Sequence, residues 1–435
     1  MKKRILSLLL ALIMVLSLAA CGAQNDTPQT SDTKKQDAET PADETHMNAE
    51  DSDFFGPIYD EWSEMTDEEL YELAKEEVKT NGPINVYATS SKMMKEEDLW
   101  LEKYPELSID IMDLDNDEVL EKCVQEANAQ NVQGDVLQVK DVNGDVFFNY
   151  YEEGYMSAFY PKDICEHIDD SLLRYGYPLY ASQSFWYYNT AAFPDGQPIT
   201  SWWQLVEKKE DGSQKYRLFT KEIGTETAYL SMFASFIVHA DQMEQAYKDL
   251  YGTDLEYTYD ASGFDFDVPE NNAGVEFMWR FSQQKMTFIS DGDELVLAVH
   301  NASDPADPAL ALASAGKIEN REESGYNIDW VKNLTPYTGL LNEENLYVVT
   351  GCKHPAGARL FIRFITGGAD GESGGLKPFT KQGNWAVRDD VEDKKNPATL
   401  EECGALAPDL AAIHNVYMDA QDLWIYWLSI SPYTK

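Results

Sequence analysis

Residues 177–205 read YPLYASQSFWYYNTAAFPDGQPITSWWQL, and the fold turns on how this stretch is used. Tyr180 to Asn189 is aromatic and small-polar, without charge or glycine, and suits an extended segment. Asn189 to Ile199 carries Asn-Thr, Pro-Asp-Gly and a further Pro, all turn formers. Thr200-Ser201-Trp202-Trp203 then opens a helix, with Thr200 or Ser201 as its cap. By itself the window fits a buried strand followed by a surface turn. Whether it does more depends on the chain on either side.

Upstream the pattern is strand–helix–strand–helix–strand. Met65–Thr80 leads as an amphipathic helix, with Thr66 and Glu69 in a capping box and Asn81-Gly82-Pro83 as its stop. Ile84–Tyr87 is a short strand, and Thr89-Ser90-Ser91 begins a helix that runs to Tyr104-Pro105. Leu107–Leu114 alternates as a second strand. Asp115 or Asn116 caps the helix Glu118–Gln130, and Gly134–Val139 is the third strand. A βαβαβ unit means a parallel sheet, whose ligands bind at the carboxyl ends of the strands. Those ends are Ala88–Ser91, Asp113–Asp117 and Lys140–Asn143.

Downstream a second α/β region begins with the strand Tyr216–Thr220. Gly224-Thr225-Glu226-Thr227 starts the apolar helix Ala228–Val238. Asp241–Tyr251 is a further helix, Tyr257–Val268 an acidic aromatic loop, and Asn271–Met286 a helix. Asp291–Glu294 leads the next helix through Ala298, and Ala309–Ala315 is short and apolar. Near Thr335–Gly339 the chain turns back, into the strand Leu346–Thr350 and the helix Pro355–Phe364. From Pro408 it is largely helical.

A chain of 435 residues is long enough for two lobes. Its formal charge of −43 repels nucleic acid and anionic lipid, so no nucleic-acid partner is expected. The five cysteines have no CxxC spacing, and the six histidines form no HExxH, which disfavours zinc. No P-loop and no Cys–His arrangement with a catalytic family's spacing is present, so the chain is not expected to be an enzyme and no cofactor is expected. A secreted hydrolase is the alternative class. Residues 1–20 combine a basic start with the apolar run Ile5–Leu18, as a secretory signal does. Residues 22–55 are polar and acidic and suit a disordered tether.

Several segments resemble known motifs, in order. Leu18-Ala19-Ala20-Cys21 resembles the lipobox of bacterial lipoproteins, which implies a lipid on Cys21 and an anchor in the cell membrane. Glu68–Lys75 with Ile84–Ser91, Gly134-Asp135-Val136, Gly154–Ile164, Tyr188-Asn189-Thr190 with Thr200–Trp203, Ile289–Ala298 and His354–Phe364 resemble family 1 of the extracellular solute-binding proteins. The similarity spans roughly residues 65–395. It implies the α/β type II periplasmic-binding-protein fold: two lobes, a ligand cleft and two interlobe crossovers, residues 177–205 being the first. The family also implies closure on one small molecule and delivery to an ABC permease, by a monomer outside the cytoplasm. The expected division is signal peptide 1–20, tether 21–55, first lobe 56–180, second lobe 181–335, and 336–435 returning to the first lobe with C-terminal helices.

Candidate ligand-binding residues follow from both lines. Thr89, Ser90 and Ser91, at a strand end and helix start, suit an anionic or oxygen-rich group or simply cap the helix. Asp141 lies at the third strand end. It also begins one of two calcium-like loops, each lacking the Gly of a true one. Thr220, Thr225 and Thr227 hold the matching places in the second lobe. Tyr180, Gln183, Ser184 and Trp186 lie on the crossover that lines the cleft in the family. Asp293 either caps its helix or holds a ligand amine. The hydroxyls favour an organic or sugar phosphate or another oxyanion, ahead of a polyamine and ferric iron. Related iron binders use two adjacent tyrosines. Tyr187 and Tyr188 on an extended strand point to opposite faces, so only one could reach a cleft.

Overall fold

The computed structural model describes residues 57–264, 266–392 and 395–433. The signal segment, the tether and Cys21 lie outside the described residues. Among those described, no helix is long and apolar enough to cross a membrane.

Two mixed sheets form the framework. In the first, β1 (Ile84–Ala88) pairs in parallel with β2 (Ile109–Asp113) and β3 (Val136–Lys140), as the βαβαβ pattern requires. The returning strand β12 (Asn342–Val349) runs antiparallel to β3, to β4 (Met156–Ser157) and to β5 (Tyr177–Ser182). The second sheet has the order β10 (Ile328–Trp330), β6 (Ser184–Asn189), β9 (Ala309–Ser314), β7 (Arg217–Thr220), β8 (Met286–Phe288). The chain between Tyr177 and Asn189 is therefore two strands, one in each sheet, with Gln183 alone between them. It returns through β11 (Gly339–Leu340) into β12. This is the two-lobed α/β arrangement of the type II periplasmic-binding fold.

Local sequence sets the helices. Helix α1 (Asp67–Asn81) starts at the Thr66/Glu69 capping box and buries Leu70 and Ala74. It meets α8 (Pro355–Ile365) through Arg363, which is ion-paired to Asp67 and donates to both oxygens of Asp163 at 2.6 and 2.8 Å. Helix α2 (Glu96–Lys103) begins only after a tight turn at Met93–Lys95, later than Thr89–Ser91 suggests. Helix α3 (Asn116–Asn128) has Asp115 and Glu118 as its capping box.

In the second lobe, α4 (Thr227–Val238), α5 (Ala240–Tyr251), α6 (Ala273–Ser282) and α7 (Gly292–His300) follow the expected order. The helix expected over 271–286 ends at Ser282, and Met286–Phe288 is instead an edge strand beside β7. Trp202-Trp203 stands on a single tight turn, Trp202–Val206, capped by Ser201. Both indoles are fully buried and donate to backbone oxygens, Trp202 to Tyr337 at 2.8 Å and Trp203 to Met243 at 2.9 Å. Each contributes roughly 2–3 kcal/mol of apolar burial.

The last helix, α9 (Leu410–Ile430), touches both lobes. Leu410 packs with Phe147 and Tyr175 of the first. Ile413, Ala420, Leu423, Trp424 and Trp427 join the apolar core of the second.

Candidate functional site

A polar seam lies at the carboxyl ends of β1 and β3. On the first-lobe side the Thr89 N–H donates to Gln138 Oε1 at 3.0 Å, and Gln138 Nε2 donates to Glu344 Oε2. Glu344 Oε1 lies 3.1 Å from Lys140 Nζ. The Tyr180 hydroxyl bonds the same carboxylate; burial, then Glu344, raises that phenol well above its usual range. Glu344 holds Lys140 in its charged form, with Glu226 of the second lobe adding to the effect. Glu226 itself pairs with Lys221 at 2.7 Å. The chain of polar contacts thus runs from Thr89 through Gln138 and Glu344 to Lys140, and the second lobe's Glu226 acts on its end by charge alone.

Lys92 sits on the edge of this chain. Its ammonium lies 4.9 Å from the centre of the Tyr180 ring, which also stacks on Phe379. Burial brings Lys92 down to about 8; Lys381 and Lys140 push the same way, against the attraction of Glu344 and Glu319.

The sequence-predicted residues fall into different surroundings. Thr89 and Ser90 are half-buried at the seam, and Ser91 is exposed. The Ser90 carbonyl accepts from Met93 N–H at 2.8 Å, so the loop turns tightly here. Tyr180 belongs to the network. Gln183, buried between the two crossover strands, has neither amide atom hydrogen-bonded, while its carbonyl accepts from Ala315 N–H at 2.9 Å. The second crossover is close: a side-chain carbon on Gly339 would stand 3.2 Å from the Ser184 carbonyl and 3.4 Å from the Gln183 amide oxygen. Ser184 bonds the phenol of Tyr229, which donates to the Leu312 carbonyl at 2.9 Å. Thr220 ends β7 with its hydroxyl buried and unpartnered.

Other candidates are engaged elsewhere. The Asp141 carboxylate accepts Gly144 N–H at 2.8 Å and Phe147 N–H at 2.9 Å, so it staples its own loop; burial nonetheless pushes it up to about 6. Trp186 packs against Trp202 and Phe281 in the second-lobe core, and its indole N–H has no partner. Thr225 donates to the Glu222 carbonyl at 3.2 Å, and Thr227 bonds Tyr417 of α9. Helix α9 also clamps this loop: Gln421 donates to the Gly224 carbonyl at 2.8 Å and Trp424 to Glu222 at 2.9 Å. Asp293 bonds Lys317 at 2.8 Å, which lowers its pKa, while Asp291 caps the helix. Tyr187 and Tyr188 diverge as strand geometry requires. The Tyr187 hydroxyl is enclosed, donating toward Ser314 and Ala315 carbonyls and accepting from Trp330, and Tyr188 packs on the opposite face.

Lys92, Gln138, Lys140, Glu344 and Lys381 were not among the predicted site residues. Lys140 ends β3, a signal the sequence does carry, whereas Lys92 lies past the Thr89–Ser91 loop that follows β1. Glu344 is hidden in Asn342-Glu343-Glu344-Asn345, a polar run that reads as loop yet forms the start of β12 and is buried throughout.

Two sheets joined by crossovers, with a polar seam at their strand ends, define the type II periplasmic-binding-protein class of fold. Among solved structures, the chain is similar to iron-bound HitA from Pseudomonas aeruginosa, at 14% identity over 79% of this chain and 99% of that one, with a TM-score of 0.55. It is also similar to the Trichodesmium protein IdiA (FutA) in complex with iron and citrate, at 14% identity over 80% and 99%, TM-score 0.54. A third is AttC from Agrobacterium tumefaciens C58 in an open unliganded conformation, at 12% identity over 80% and 99%, TM-score 0.52. No family model and no curated protein matches the chain, so the similarity is one of fold.

Proposed function

We propose that the protein is the substrate-binding subunit of an ABC importer. It captures one small solute between its lobes and hands it to a permease, as a monomer and without chemical change. It is held outside the cytoplasm at the cell membrane by a lipid on Cys21. The observation that carries this reading is the hydrogen-bonded and ion-paired chain Thr89–Gln138–Glu344–Lys140 at the carboxyl ends of β1 and β3, where ligands of such sheets bind, with Glu226 of the second lobe acting on Lys140 through its charge.

The ligand class favoured is a small oxyanion-bearing metabolite, an organic or sugar phosphate or a carboxylate. Thr89, Ser90 and the neighbouring lysines support it. Ferric iron is the second reading, since two of the similar structures contain iron. Against it, the Tyr187 hydroxyl is already satisfied inside the second lobe. The polyamine reading loses Trp186, which is enclosed in the core. A thermal-shift screen of phosphate esters, carboxylates, spermidine and Fe(III) tests the assignment. Stabilisation by an anion and by neither cation is expected, and turnover of a hydrolase substrate would overturn the binding-protein reading itself.

A further inference from the structure

The protein carries 77 acidic and 34 basic side chains, yet the seam gathers positive charge. Lys381 and Lys140 each act on Lys92 as like charges and disfavour its charged form. Glu344, the acid among them, is fully committed: one oxygen to Lys140, the other to Gln138, with the Tyr180 hydroxyl added. Among the described residues Lys92 forms no ion pair; its ammonium lies over the Tyr180 ring, and Glu344 and Glu319 attract it only from beyond ion-pair distance. Half-burying an ammonium beside two others without a carboxylate of its own is unfavourable. In a chain this acidic, a paired surface lysine would have been the easier arrangement.

The same region offers groups an oxyanion needs. Ser90 and Ser91 precede Lys92 in the loop after β1, and the Ser90 hydroxyl accepts the Lys92 backbone N–H at 3.4 Å. Gln183, on the same crossover as the Tyr180 ring that Lys92 covers, is buried with both amide atoms unpartnered. A buried amide lacking all partners costs about 1–3 kcal/mol until something bonds it.

We infer that Lys92, with Lys381 and Lys140 behind it, is the anchor for the charged end of the ligand, a phosphate or carboxylate seated against the Thr89–Ser91 loop; this rests on the substrate-binding reading above. The groups facing Lys92 are Glu344 and Tyr180 from the first lobe, Glu319 from the turn after β9, and Lys381 and Lys140. The ammonium loses its proton near pH 8, so attraction for a fully ionised anion weakens as pH rises through that value.

Calorimetric titration of the protein with glycerol 3-phosphate and with citrate tests the inference, at pH 7 and pH 9.5. The two probes separate a phosphate from a carboxylate ligand. Wild type is expected to bind at least one of them, about tenfold or more weakly at pH 9.5. Lys92→Met is expected to lose about tenfold or more in affinity at pH 7. Lys92→Arg, whose guanidinium stays charged, is expected to bind at both pH values with little difference. Lys79→Met, on an exposed face of α1, serves as the control. If wild type binds an anion and Lys92→Met, shown folded by its thermal transition, binds it equally well, the anchor is wrong and the binding-protein reading stands. If neither anion binds while spermidine or Fe(III) does, the anchor and the anion class fall together. If no small solute binds, both readings are overturned.

Discussion

Lys140 Nζ lies 3.1 Å from Glu344 Oε1, joining the end of β3 to the strand that returns from the second lobe. The pair is asymmetric. Glu344 is buried, whereas Lys140 keeps about 41% of its side chain in solvent. Solvent screening therefore limits the Coulombic gain, and the hydrogen bonds to Gln138 and Tyr180 weigh more. Glu344→Ala leaves a buried amide and phenol without their acceptor and should destabilise the protein by about 2–4 kcal/mol. Urea denaturation measures this; a loss under about 0.5 kcal/mol would show that the network does not hold the strand ends together.

Gln183 separates the two crossover strands and has no partner for its side chain. Replacing it by Met removes the unpaired amide at similar volume. Stability of the ligand-free protein should rise by about 1 kcal/mol, while affinity for the ligand falls. Paired thermal-melting and titration measurements check both halves. A rise in stability with unchanged affinity would remove Gln183 from the site.

Glu96 is fully buried at the start of α2, and neither carboxylate oxygen has a partner. Burial alone pushes it up to about 9. Its folded pKa is thus above the unfolded one, so the native state holds a proton that the unfolded chain releases. The ionisation penalty is absent below about pH 4.3, and stability falls as pH rises from there toward 9. Glu96→Gln should raise the melting temperature at pH 8 and change it little at pH 4.5. A variant with the same pH profile as wild type would contradict the assignment.

Asp135, wholly buried at the start of β3, accepts the backbone N–H groups of Asn85, Lys353 and His354 at 2.8–3.1 Å, as well as Nδ1 of the His354 ring at 2.8 Å. It ties β1, β3 and the entry to α8 together. Asp135→Ala should cost about 3–5 kcal/mol, seen as a lower urea midpoint. Close packing makes a comparable prediction in the second lobe. A methyl on Gly274 would fall 2.1 Å from the Phe236 carbonyl oxygen, so Gly274→Ala must push α6 away from α4. A loss of about 2 kcal/mol or more is expected in the same experiment.

Much of this architecture can be read from residues. Period-2 and period-3.6 patterns place β1 to β3 with α1 and α3, because each strand buries an apolar face and both helices start at a capping box; α2 starts later than its sequence suggests, since no side chain caps it. The crossover is legible too, since an uncharged aromatic run can serve two cores; its division at Gln183 is not, because the backbone pairs with a different sheet on either side of one residue. Met286–Phe288 reads as the end of a helix, and only its pairing with β7 makes it a strand. The site is less legible than the fold. Thr89, Ser90 and Tyr180 stand where strand ends and the crossover suggest. Glu344 does not, because four consecutive polar residues are buried in β12 only by virtue of partners distant in the chain. Asp141 looked available and is spent on its own loop.

The central claim is that the two lobes close on a small anion. One calorimetric titration series at pH 7 tests it most directly, with glycerol 3-phosphate, citrate, spermidine and Fe(III) as the probes. The account predicts saturable one-to-one binding of an anion and no binding of spermidine or Fe(III). Binding of spermidine or Fe(III) with no response to either anion would contradict it.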